Sequence, residues 1–405
     1  MAIATETTEA RGCYNVAVST SRTLPRIALG AVVLVAVGYF PLAFTSFWHF
    51  FDAGAPRLQD ALQGRAAGHD FAYGHGSVVA LRAEDYRAHR VVMLVHTSTG
   101  ALALALATLQ YSARLRRRPG VHRWTGRTYL LLMGVSMAAA YAFLLAAPQI
   151  AYFGGSAFDL QLWVLATSTV TSAAIALVAI RRRDLVSHRA WIGMNLAFML
   201  TAPLLRLLWV GLGRLDHGIE LMVGLDVGAS TLGVVAPAGG AIAFLLTQPS
   251  RRVAPVADAR RQYVAAAIVS VAGSCWLAAR FAPLPAQVPG ASLWIGHVVP
   301  ATGLVVICLL GALRSARRGR GIAEGQWRAL LWGAALATPS AALTTVLATP
   351  VYGTIDGFLA GTMVGASGPI VLAFLLVVRS ASQAGLTSST TSNSSRSAPV
   401  ATGLR

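Results

Sequence analysis

Four ionisable side chains fall inside stretches that are otherwise apolar: His96, Arg206, Asp226 and His297. A charge or a titratable ring in that setting is costly, and it usually faces a partner, a cavity or a pathway. An arginine there supplies a fixed positive charge, and a histidine supplies a hydrogen-bond partner that can take up a proton. The four therefore suit a pocket for a small anionic or protonatable solute, with His96 and Arg206 as its leading members. No set of nucleophile, base and acid stands out, and no HExxH-like spacing is present, so hydrolytic catalysis is not expected.

A second group sits at the edges of apolar stretches. HRWTGR runs from His122 to Arg127, and SHRAWIGMN runs from Ser187 to Asn195. In each, an arginine (Arg123, Arg189) follows the histidine (His122, His188), and a tryptophan comes two or three positions after the histidine. One reading is structural, with Trp in the interface belt, Arg at the lipid phosphates and Ser187 as an N-cap. Gly126 and Gly193 would then let helices approach closely. The other reading has His122 and His188 converge on an anion, a metal or a haem iron. His69, Asp70 and His75 form a third group, but their spacing fits no recognised metal-ligand pattern.

The elements that must position these residues are membrane spans. The chain has 405 residues, 55% hydrophobic and only 12% charged, with a mean hydropathy of +0.60. Soluble domains carry about 25% charged residues, so this composition belongs to the membrane class. Ten stretches meet the length of about 20 residues that a spanning helix needs. They run at about 27–48, 90–111, 128–147, 160–180, 190–212, 224–247, 263–282, 293–313, 327–347 and 358–378.

The net charge of +18 comes from 33 basic residues, all of them arginine. They lie in short loops between the apolar runs, where they set topology, and no nucleic-acid motif accompanies them. With the N-terminus inside, 25 of the 33 arginines fall on the cytoplasmic side and 10 of the 15 acids on the outer side. Both termini are therefore expected in the cytoplasm. Cys13, Cys275 and Cys308 are too scattered for a disulfide framework or a CxxC site.

The spans divide the chain into a cytoplasmic tail (1–26), a retained signal anchor (27–48), a long outer loop (49–88), a four-helix unit (89–212), five further helices (213–378) and a disordered Ser/Thr-rich tail (379–405). The outer loop opens on an aromatic cluster (Phe47, Trp48, Phe50, Phe51) suited to the interface. Leu58, Ala61 and Leu62 then share one helical face, which predicts a short helix on the membrane surface. His96 and His297 are each followed by SAR and an arginine loop, an echo that would make helices 1–4 and 7–10 parallel repeats.

Depth groups the ionisable residues further. His96 and Arg206 each lie about 9 Å inside the outer face at 1.5 Å per residue, and His297 and Asp226 are close to that face. An outward-opening pocket follows. His122 belongs to the other face, with His188.

At these residues the chain resembles a bacterial family of predicted membrane proteins, domain-of-unknown-function family 2306. The matching positions are His96, His122, Arg123, Gly126, Arg127, Tyr129, His188, Arg189, Trp191 and Arg206, within about residues 89–212. The resemblance implies no established activity. The same helices are distantly similar to membrane b-type cytochromes, which implies haem b between His122 and His188; helix 4 lacks the histidine that a two-haem arrangement needs. The expected protein is an all-α polytopic transmembrane bundle of the bacterial cytoplasmic membrane. Its partners are the lipid bilayer and a small solute, not nucleic acid, and no cofactor is established. A haem-binding redox protein and a structural or assembly factor are the alternatives.

Overall fold

The computed structural model describes residues 23–75, 77–147, 155–215, 221–248, 259–281 and 296–394. The expectations for residues 1–22, Cys13 among them, and for 395–405 lie outside these residues. Among those described, every regular element is helical, and ten stretches are long and apolar enough to cross a membrane.

The chain begins with α1 (Thr23–Thr45), followed by a short capping segment of α2 (Leu58–Ala67), α3 (His69–Tyr73) and α4 (Val78–Ala88). Next come α5 (Arg90–Gln110), the single turn α6 (Ala113–Arg116), α7 (Pro119–Ala146) and α8 (Gly155–Arg181). The fifth span is built of α9 (Leu185–Met199) and α10 (Thr201–Leu215). The remainder is α11 (Leu221–Thr247), α12 (Ala259–Phe281), α13 (Val299–Arg317), α14 (Gly321–Tyr352), α15 (Thr354–Ala360) and α16 (Ser367–Ser394).

Several boundaries differ from the sequence expectation, each for a local reason. HRWTGR is not a turn ahead of a span; it lies within α7, which starts at Pro119. Proline at the first helical position is preorganised and loses no hydrogen bond there. The fifth span breaks at Leu200, where Pro203 has no N–H to offer the carbonyl one turn back. α16 continues to Ser394, so residues 379–394 are helical rather than a disordered tail. Extending an existing helix adds one hydrogen bond per residue without a new nucleation cost.

Lipid tails are as apolar as leucine, so helices associate here through close packing and hydrogen bonds. The larger core cluster joins α8 to α16 around α11, the most buried of the spans. A smaller cluster, with Leu104, Tyr129, Met133 and Leu196, ties α1, α5, α7, α8 and α9 together.

At the connection from α8 to α9, Arg183 takes a left-handed conformation (φ 60°), and Asp184 N–H closes the helix end on Ala179 O at 2.9 Å. Asp184 then caps α9, accepting from Ser187 N–H at 2.9 Å and Ser187 Oγ at 2.6 Å. Ser382 of α16 adds a third donor at 3.2 Å, linking the last helix to this corner. Burial pushes the Asp184 carboxyl up, but these hydrogen bonds outweigh it and hold the group below the usual 3.8. Its stabilisation is therefore complete above that value and is lost as pH falls through the lowered one. Asp184→Ala should cost about 1 kcal/mol, the worth of an N-cap. Asp184→Asn should keep most of the cap while removing the acid-dependent part of the melting curve. Thermal melts at neutral and acid pH check both; a wild-type response in Asp184→Asn would refute the assignment.

Candidate functional site

A cavity of about 320 Å³ lies where the two core clusters meet. α1, α5 and α7 form one side, α8, α10 and α11 the other, and the capping segment α2–α4 covers one end. His96 and Arg206 both line it.

His96 is held by α7. Its Nδ1 lies 2.9 Å from Ser136 O, and Ser136 Oγ donates to His96 O at 2.8 Å. A carbonyl can only accept, so in the neutral ring Nδ1 carries the proton. Nε2 is then left as an acceptor for whatever occupies the cavity. Gly100, one turn along, makes this contact close: a Cβ there would meet Ser136 Oγ at 2.8 Å.

Arg206 is held by the cap. Its Nε donates to Gln59 Oε1 of α2 at 3.0 Å, and its Nη1 to Ala202 O at 3.3 Å. The guanidinium also lies 5.8 Å from the Tyr39 ring and 5.9 Å from the Trp209 ring. Among the described residues it has no ion pair with a carboxylate. The other two arginines of the wall differ in this respect. Arg57 pairs with Asp60 at 2.7 Å and Arg82 with Asp85 at 3.7 Å.

The capping segment was expected as a loop with a helix on the membrane surface. It is instead a helical cap, and the face of α2 that matters is the polar one. Leu58 and Leu62 are exposed, whereas Asp60 and Gln63 are buried and line the cavity. In a membrane protein the apolar face of a short helix can meet lipid while the polar face covers a cavity. Phe71 of α3 seats the cap against Gly213 of α10, where a Cβ would come within 2.8 Å of the ring. Phe47 turns inward to an edge-on contact with Tyr86 of α4, 5.0 Å between centroids, while Trp48 and Phe51 stay exposed.

The structure does not bring Asp226 and His297 into this cavity. His297 is 5% exposed and stands edge-on to Phe358, 5.6 Å away. Asp226 lies near enough to Asp356 for their charges to interact. His96 and His297, the two ends of the sequence echo, thus occupy different settings. His69 and Asp70 are exposed, and among the described residues no group of three metal-ligating side chains converges.

At the other end of the spans His122 and His188 are within electrostatic reach of one another. His188 Nδ1 is bound to Ala176 O at 2.9 Å, and His122 Nδ1 is buried without a hydrogen-bond partner among the described residues. Arg123, Arg127 and Arg189 are exposed. Two turns inside, Tyr129, Met194 and Asn195 are each at most 1% exposed.

Asn195 is the centre of this packing, and sequence reasoning did not assign it a role. Its Oδ1 accepts from Tyr129 Oη, and its Nδ2 donates to Thr169 O at 2.6 Å and Ser172 Oγ at 3.0 Å. The two motif-bearing helices and α8 are thereby joined through one side chain.

Ten helices long and apolar enough to cross a membrane, counted among the described residues, define a multi-pass helical membrane protein. Residues 93–224 match the family described as "Predicted membrane protein (DUF2306)". The match covers about a third of the chain and includes His96, Tyr129, Asn195 and Arg206, so over this stretch the chain is similar to that family. No curated protein and no solved structure matches the chain.

Proposed function

We propose that the cavity under the cap binds a small anionic or protonatable solute, as a binding or translocation site in a bacterial cytoplasmic membrane. Both termini lie in the cytoplasm on this reading, following the arginine-rich loops, and the cap faces outward. The observation that carries the proposal is an arginine, Arg206, with no carboxylate partner among the described residues, sharing a cavity with a histidine whose Nδ1 is already committed to Ser136. Arg206 supplies the fixed charge that attracts an anion, and His96 Nε2 accepts a proton or a hydrogen bond from it. The cavity volume lies at the lower end of small-molecule sites.

Thermal stabilisation of the purified chain by a panel of small carboxylates and phosphates tests this. A ligand at one hundred times its Kd should stabilise wild type by about 2.7 kcal/mol. Arg206→Gln and His96→Ala should both lose that response, with gel filtration confirming that each variant remains folded. If folded variants respond as wild type does, the site is elsewhere.

A further inference from the structure

The wall of the cavity also describes the shape and polarity of its occupant. Its polar groups gather under the cap: Gln59, Gln63, Tyr86, His96 and Arg206. The other polar side chains of the wall are mostly satisfied by the protein itself. Gln161 Nε2 donates to Ala229 O at 2.7 Å, Thr97 to Met93 O at 3.0 Å and Thr169 to Leu165 O at 2.8 Å. Thr201 alone among these keeps a buried hydroxyl without a partner. The inner end of the wall is mostly hydrocarbon, with Leu104, Leu165 and Phe198 among the lining residues.

The wall of the cavity follows the spans. Along α5 its wall runs from Met93 to Leu104, and along α8 from Phe158 to Thr169, about 16 Å in each case at 1.5 Å per residue. Among the described residues its charges sum to one uncompensated cation, since Arg57 and Arg82 have carboxylate partners there and Arg206 has none. A dianion would leave one charge in an apolar setting, which is strongly unfavourable.

We infer that the occupant is an amphipathic monoanion: a carboxylate-type head at Arg206 and one unbranched hydrocarbon tail directed between α5 and α8. This assignment rests on the solute-binding reading above and narrows it to a ligand class. The same head-and-tail chemistry is found in a free carboxylate and in a membrane phospholipid. The size of the cavity favours the single-tailed source.

Competition against labelled octanoate, with the full chain in nanodiscs of zwitterionic lipid, tests the assignment. Affinity should rise from butanoate to octanoate by about fourfold per added CH₂. Suberate, with a second carboxylate at the tail end, and octanol, with no charge, should each bind at least tenfold more weakly than octanoate. Arg206→Gln should bring octanoate down to the level of octanol. Leu165→Phe should shorten the preferred tail, weakening octanoate more than butanoate, which partitioning into the bilayer cannot do. Phosphatidic acid should not compete; competition by it would overturn the single-tailed assignment. If phosphate or succinate binds in an Arg206-dependent way and octanoate does not, the assignment fails while the anion site stands. If no anion binds, both fail.

Discussion

Replacing Asn195 with alanine should destabilise the folded chain by about 2 to 4 kcal/mol, summed over interhelical hydrogen bonds of roughly 0.6 to 1.7 kcal/mol each in membrane proteins and the cost of leaving their partners unpaired. Asn195 is fully buried and serves three partners at once, Tyr129, Thr169 and Ser172. Alanine removes all three bonds and strands the Tyr129 hydroxyl, which keeps only the weak Met199 Sδ contact at 3.3 Å. No water is available at that depth to replace them. Tyr129→Phe removes one of the three bonds and leaves only Asn195 Oδ1 without its donor, so it should cost less, about 1 to 3 kcal/mol. Titration of both variants with a denaturing detergent gives the order directly. An Asn195→Ala variant that unfolds together with wild type would show that the network carries no stability.

The spans were legible in the sequence because lipid imposes one pattern on each of them. A helix of about 20 apolar residues is the economical way to carry backbone through a bilayer. His96 and Arg206 were legible for the same reason, since a charge in such a run stands out. What composition could not supply was distance. Gln59 and Gln63 are ordinary polar residues on a short helix, and only the fold shows that one bonds Arg206 and that both line the cavity. The pattern on α2 pointed away from the site, because its leucines marked the apolar face as the one to watch.

Glu324 makes the same point at the other end of the spans. It sits in an arginine-rich stretch and reads as a loop residue. In the fold it is fully buried, accepting from Tyr263 Oη at 2.7 Å and from Arg328 Nη1 at 3.0 Å. Asn195 was quoted with its motif, yet nothing in one helix shows that its amide reaches two neighbours. The cavity has a related origin. The smaller core cluster packs through α5 and α7 and the larger through α11 and α14, and the space between them is left to His96, Arg206 and the cap.

Helix approach is equally invisible in the sequence, and α11 provides a sharp test of it. Gly233, Gly239 and Gly240 look alike as letters, but a Cβ at each would meet different surroundings. At Gly233 it would collide with Met363 O, in the π-helical turn Gly361–Gly365, and lie 3.1 Å from the carbonyl carbon. Both partners are backbone, so neither can rotate away, and the helices must separate. Gly233→Ala should therefore destabilise by about 1 to 3 kcal/mol or more, the range for overpacking a tight interface. At Gly240 the neighbour is Met194, with Sδ at 2.9 Å and Cε at 3.2 Å, but its Cα also lies at 3.2 Å. The flexible end can move and the backbone cannot, which places Gly240→Ala between the extremes. At Gly239 nothing lies within 4 Å, and the position is exposed. Gly239→Ala should be neutral or stabilise by up to about 1 kcal/mol through helix propensity. Detergent-unfolding curves of the three single variants should therefore rank Gly233→Ala lowest and Gly239→Ala highest. Equal effects at Gly233 and Gly239 would mean that α11 does not pack against the π-helical turn as closely as the structure has it.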